Sequence, residues 1–142
     1  MSIDLGKELP HDLFHELSDV DPSEQGGKVI PILSVDADGW AHPALLSYGE
    51  VGARDRSTLR VITFEGTKTT ENLRSNGLLT LLFIDEGMTY YVKGKTKEVP
   101  AARVGGGPGH AYMDMAIAHV LSDAPGVGEE GAQITSGIMF KW

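Results

Sequence analysis

The sequence predicts a mainly β domain whose short strands are joined by tight turns and interrupted by one capped helix. Three observations carry this expectation. Glycine makes up 18 of the 142 residues, roughly twice its ordinary share, as in all-β folds rich in tight turns. Between Trp40 and Gly94, four apolar, β-rich segments follow one another with little slack, and one capped helical stretch divides them into two pairs. The length suits one domain with its own core and is short for two.

Taken in order, residues 1–10 read as frayed. Pro10 suits the first turn of a short helix running to about Leu17, with Leu13, Phe14 and Leu17 on one face. His11 and His15 lie four apart on it, but no glutamate follows the first and no third ligand is evident, so they read as a solvated face. Residues 19–27 form a polar linker. Residues 29–35 are a strand ending in Asp36-Ala37-Asp38-Gly39, which turns the chain into a second strand over 42–48. The same tetrapeptide opens calcium loops, but Ser47 stands where the closing glutamate belongs, and the turn is preferred. A charged loop over 50–57 precedes a strand over 58–64. A helix then opens at Thr67-Lys68-Thr69 and stops at Asn76-Gly77, a pair suited to a left-handed C-terminal cap.

The run over 78–84 is almost continuously apolar, as in a strand buried on both faces, and Asp85-Glu86-Gly87 turns it into a strand over 88–97. On that strand Tyr91 and Lys93 share one face and Tyr90 takes the other; one face would approach a cofactor, or both tyrosines fill the core or a dimer interface. The glycine-rich segment around 105–109 is a flexible loop without a dinucleotide pattern, because position 110 is His. Residues 112–122 fit a helix or a strand, and 134–142 alternate as a strand does. The expected organisation is one domain: an arm and helix over 1–27, core strands and helix over 28–99, a loop over 100–111, and two last strands over 112–142.

Twenty acidic residues against 12 basic give a formal charge of −8, which argues against wrapping nucleic acid or an anionic membrane. Neither a membrane-spanning run nor a signal-peptide start is found, so the expected location is cytoplasmic. There is no cysteine, so redox chemistry would have to come from a bound cofactor. The helix opening at Thr67 exposes backbone N–H groups at the positive end of its dipole, an arrangement that attracts phosphate; Lys68 and the neighbouring threonine hydroxyls would add donors. Ordinary capping by Thr67 accounts for the same residues.

The order WAHPALLSY, TLRVITF, GTKTTENLRSNG, LLTLLFI, TYYVKGK resembles the FMN-binding split-barrel proteins related to pyridoxamine 5′-phosphate oxidase. The similarity runs over about 29–97, with a looser match in MAIAHVLSDAP and QITSGIMF that favours a strand over 115–122. The resemblance implies a six- or seven-stranded antiparallel split barrel, with a short N-terminal helix and one helix after the third strand. It implies a homodimer with FMN at the interface, acting as an oxidoreductase on a small-molecule substrate. The family's phosphate-holding Ser-Arg-Lys segment matches Thr67, Lys68 and Thr69. Val61, Ile62 and Thr63 would run beside the flavin with their backbone reading the ring edge, and His42 and Ser47 stand where the oxidase has basic residues. His42 would donate to the flavin or the substrate, or it is a hairpin surface residue. Thr69 in place of a second cation and Ser47 in place of a lysine imply weaker FMN binding. The sequence ends at Trp142 without the oxidase's Arg- and His-bearing extension, so the expectation is a relative of the vitamin B6 enzyme and not that enzyme. Alternatives on the same scaffold are a non-catalytic flavin-binding or stress-related protein, an F420-binding relative, a haem-binding relative using His42, His110 or His119, and an interaction module with an empty groove.

Overall fold

A computed structural model describes residues 1–18, 27–124 and 131–141. Eight strands and two α-helices follow in the order β1 (Ser2–Asp4), α1 (His11–Ser18), β2 (Val29–Val35), β3 (Ala41–Ser47), β4 (Val51–Asp55), β5 (Thr58–Phe64), α2 (Lys68–Ser75), β6 (Leu78–Asp85), β7 (Met88–Val99) and β8 (His110–Asp123). The antiparallel sheet has the order β3-β2-β6-β7-β8-β5-β4, and β1 pairs with β8 beside it. Curled into a half-barrel, it is the split-barrel architecture expected from the sequence.

One face of the sheet carries the core. Ile30 and Ile32 on β2, Leu79, Leu81 and Phe83 on β6, Val92 on β7, Met113, Met115 and Val120 on β8, and Leu59 and Val61 on β5 are buried together. Leu13 and Leu17, four apart on α1, and Leu73 on α2 seal this core. Among the described residues, the other face is the more open one. The expectation that β6 is buried on both faces is therefore corrected: Leu78 is exposed and Leu82 and Ile84 are half-buried, while Leu79, Leu81 and Phe83 alternate with them toward the core.

Turn chemistry sets the connections. Asp36 takes the N–H groups of Asp38 and Trp40 on its carboxylate, both at 2.9 Å, which closes the β2–β3 hairpin. Gly77 adopts φ +74 after α2, and a Cβ there would stand 2.7 Å from the Thr96 carbonyl oxygen.

Several boundaries differ from the sequence expectation. Residues 2–4 form β1, held by its ladder to β8 and by the N-terminal amine on the Ala124 carbonyl at 2.6 Å. The loop expected over 50–57 is mostly β4, paired with β5 and shifted in register between Ala53 and Asp55; Arg56 turns back to donate to the Leu9 carbonyl at 2.8 Å. Residues 112–122 form a strand, and that strand begins earlier, at His110. Inside the expected 100–111 loop a 3-10 turn covers Ala101–Val104, and Gly106 packs against the Tyr112 ring. Residues 134–141 form no regular strand: an isolated bridge joins Lys28 to Met139, with Val29 N–H donating to Ile138 and Phe140 N–H to Gly27. The reason is topological, since β2 is already flanked by β3 and β6 and offers free backbone groups only at its start. The expected linker over 19–27 lies, apart from Gly27, outside the described residues, as does Trp142. No helix among the described residues is long and apolar enough to cross a membrane.

Gly77→Ala should lower stability by about 1–2 kcal/mol from the left-handed backbone alone, with a further loss from the Thr96 contact, read as a lower urea midpoint at unchanged slope. Arg74 on α2 bridges Glu98, at 2.7 and 2.8 Å, and Glu65, at 3.0 Å through Nη1. Its guanidinium holds both carboxyls below the ordinary value of 4.5. A carboxyl held low in the folded state stabilises above the unfolded value and loses that contribution as pH falls through the folded one. The stability difference between wild type and Arg74→Met should therefore be constant above about pH 5.5 and shrink as pH falls below about 4.5. A difference that stays constant down to pH 3 would contradict the assignment.

Candidate functional site

The site is organised along β5 and the start of α2. Thr58–Phe64 alternates, so Leu59, Val61 and Thr63 face the core while Arg60, Ile62 and Phe64 face outward. Pairing with β4 stops at Val61, opposite Val51, leaving residues 62–64 paired only with β8. Beside Ile62 a cleft of about 280 Å3 opens between β5, α1 and the turn after β3, lined also by Glu16, Tyr48, Glu50 and Arg60. Arg60 is held by Asp114 at 2.9 Å, and Glu16 lies 3.7 Å from Lys28. Tyr48 donates to Glu16 at 3.2 Å, and burial, reinforced by that carboxylate, pushes its hydroxyl well above the ordinary phenol range.

At the far end of β5 the chain turns through Glu65-Gly66 into α2. Thr67 is the N-cap: its Oγ1 accepts the Thr70 N–H at 3.3 Å and donates to the Phe64 carbonyl at 2.9 Å. The Thr70 hydroxyl donates to the same carbonyl at 2.6 Å and lies 2.7 Å from the hydroxyl of Thr63. Glu71 N–H donates to the Thr67 carbonyl. The first N–H groups of a helix have no intrahelical acceptor, so those of Lys68 and Thr69 remain for an outside one. Lys68 is half-exposed, with Nζ 3.6 Å from Glu71. Thr67 thus caps the helix, and Lys68 is the cation at the same turn.

The expected site residues do not all come together. Ile62 lies on the cleft; Ser47 does not line it but precedes Tyr48, which does, and places its N–H and hydroxyl on Glu50 at 2.9 and 3.0 Å. Phe64, outward and exposed, leads from Ile62 to Thr67 and Lys68, and its ring stacks on His110 at 4.9 Å. Val61, Thr63 and Thr69 turn their side chains inward, and Val61 is paired on both sides of its strand, with Val51 and Met113. His42 is set apart: it pairs with Ser34 in the β2–β3 ladder, on the side where Asn72 of α2 donates to the Ser34 hydroxyl. Sequence reasoning missed Glu16, Tyr48, Glu50 and the Phe64–His110 stack. Ser47 and Glu50 have capping-box spacing, which could have found the turn; nothing local predicts that α1 delivers Glu16 to it.

No family model matches the chain. It is 30% identical over 88 residues to the uncharacterized protein YclD of Bacillus subtilis, a match covering 62% of this chain and 57% of that one, so the matched part spans little more than half of that relative's length. Among solved structures it is similar to a Lactobacillus delbrueckii protein provisionally named a pyridoxamine 5′-phosphate oxidase, with TM-score 0.62 and 16% identity over 82% of this chain and 97% of that one. It is also similar to an FMN-binding protein of Syntrophomonas wolfei, with TM-score 0.59 and 13% identity over 80% and 87% of the two chains. The chain has the fold of the pyridoxamine 5′-phosphate oxidase-like split barrels.

Proposed function

We propose that this chain binds FMN and serves as a flavin-dependent oxidoreductase for a small-molecule substrate, as a homodimer with the cofactor between protomers. The observation that carries the reading is the first turn of α2, where two N–H groups without intrahelical acceptors stand beside Lys68 at the end of the strand whose outer face leads back to the cleft. Phosphate suits that turn, and the flavin would extend along Phe64 and Ile62 toward the Ser47–Glu50 turn. FMN would supply hydride transfer at its ring, so no nucleophile or carboxylate pair is required of the protein. The protein's part is to hold the phosphate with Lys68 and backbone N–H groups, and to meet the ring edge along the side of residues 62–64 that β4 does not pair. With one cation at the turn and a carboxylate, Glu50, near the ring end, binding should be modest. Support for a second copy comes from the more open face of the sheet, where Leu45, Leu82 and Ile84 are partly or largely exposed.

Titration with FMN and with riboflavin, which lacks the phosphate, tests the assignment. FMN should bind at least about tenfold more tightly than riboflavin, and Lys68→Glu should weaken FMN by about 10- to 100-fold while leaving riboflavin unchanged, since a hydrogen bond to a charged group contributes about 1.5–3 kcal/mol. Equal affinities for the two flavins, or a Lys68→Glu variant that binds FMN like wild type, would refute it. Bleaching of the bound flavin by a reduced nicotinamide or by substrate would separate an enzyme from a carrier.

A further inference from the structure

Among the described residues, β2 and β6 pair only where Ile32, Leu33 and Ser34 face Leu81, Thr80 and Leu79. Carried on toward the start of β2, that register would set Val29 opposite Ile84 and Lys28 opposite Asp85. Residues 137–140 take that place instead. On one side, Val29 N–H donates to the Ile138 carbonyl at 2.9 Å and Phe140 N–H to the Gly27 carbonyl at 2.8 Å, around the Lys28–Met139 bridge. On the other, Gly137 N–H donates to the Asp85 carboxylate, and a Cβ on Gly137 would stand 2.6 Å from the Ile84 carbonyl oxygen. The segment is a wedge in the opening between two strands, with a glycine where it meets the second.

The ion pair at this wedge also reaches the cleft beside Ile62. Lys28 Nζ lies 2.8 Å from Asp85, 3.7 Å from Glu16 and 5.7 Å from the centre of the Tyr48 ring. Phe83 meets the same ring edge-on at 6.1 Å, and Tyr48 donates to Glu16. Glu16 and Tyr48 both line the cleft. One side chain therefore touches the anchor of the wedge, Asp85, and two residues of the cleft wall. The wedge itself is lightly held: Ile134, Ile138 and Met139 are about half exposed. A segment with so little buried apolar surface opens at a far smaller cost than the whole domain.

From this juxtaposition we propose that residues 137–140 are a latch on the cleft wall, and that Lys28 is the positioning residue through which the latch acts. Docked, the segment holds Asp85 by the Gly137 N–H and the Lys28 backbone by the bridge to Met139, which together set Lys28 Nζ against Glu16 and the Tyr48 ring. Released, it takes away both supports at once. The ammonium group then loses its fixed station, and the Tyr48 ring keeps only its contacts with the core. Such coupling is reciprocal, so whatever steadies Tyr48 and Glu16 from the cleft side favours the docked segment. The inference does not depend on the flavin reading, because it concerns the protein without ligand and uses no residue of the first turn of α2.

Two readouts on the full chain without ligand test this: amide hydrogen exchange, and nitration of Tyr48 by tetranitromethane located by mass spectrometry. In wild type the Val29 and Phe140 amides should exchange at least about 100-fold faster than that of Leu81, and Tyr48 should resist nitration. Gly137→Val should speed exchange at Val29 and Phe140 by about tenfold or more and raise Tyr48 nitration by about fivefold or more, with Leu81 unchanged. Lys28→Met should raise Tyr48 nitration as much, Lys28→Arg should keep it near wild type, and Gly137→Val added to Lys28→Met should change it by less than about twofold. The inference is overturned if Val29 and Phe140 exchange as slowly as Leu81 in wild type, or if Gly137→Val leaves both amides as they were. It is equally overturned if Gly137→Val frees them without exposing Tyr48, or if it lowers Leu81 protection as well, which would make the segment part of the core. Lys28→Met without effect on Tyr48, or a full effect of Gly137→Val in that background, would remove Lys28 from the account.

Discussion

Much of this structure turns on one carbonyl. The oxygen of Phe64, the last residue of β5, accepts the hydroxyls of both Thr67 and Thr70, and Thr70 is joined in turn to the buried hydroxyl of Thr63. Each such bond contributes about 1 kcal/mol, but their shared geometry matters more than their sum. They fix where α2 begins relative to the strand before it, and Arg74, bridging Glu65 and Glu98, pins its other end. A helix of eight residues has little stability of its own. Its position, and with it the direction in which its first N–H groups point, is borrowed from the sheet.

The second constraint is that, among the described residues, one face of this sheet is sealed by the two helices and the other is more open. The core face takes Ile30, Ile32, Leu81, Phe83 and Val92 with the seals from α1 and α2. Strand alternation then sends Leu33, Leu78 and Leu82 outward beside the lysines of β7. The surface to which flavin binding is assigned is a consequence of that geometry: it follows the outer residues of β5, where β4 is too short to pair to the end of the strand.

Local chemistry was legible in the sequence. Strand β2, the Asp36 turn, the Thr67 cap and the Gly77 stop were read from residue types that have one good structural use. What was not legible depends on partners distant in sequence. Ser2–Asp4 has no strand signal of its own and pairs because β8 is long enough to receive it. Residues 134–141 carry the strand alternation and lack an open edge to join. The apolar run of β6 suggested burial on both faces because composition does not say whether a second layer exists. The Thr67 start of α2 and the outward station of Ile62 on β5 follow from residue types and strand alternation. Glu16 and Tyr48 meet across 32 residues of sequence, and no periodicity announces such a contact.

The central claim is that a flavin phosphate is held by the first turn of α2. The most direct measurement is the amide spectrum of uniformly labelled protein with FMN and, separately, with riboflavin. The account predicts that the Lys68 and Thr69 amide signals move strongly with FMN and little with riboflavin, while those of Ile62 and Phe64 respond to both. Lys68 and Thr69 amides that ignore FMN while other residues respond would contradict it and place the cofactor elsewhere on the fold.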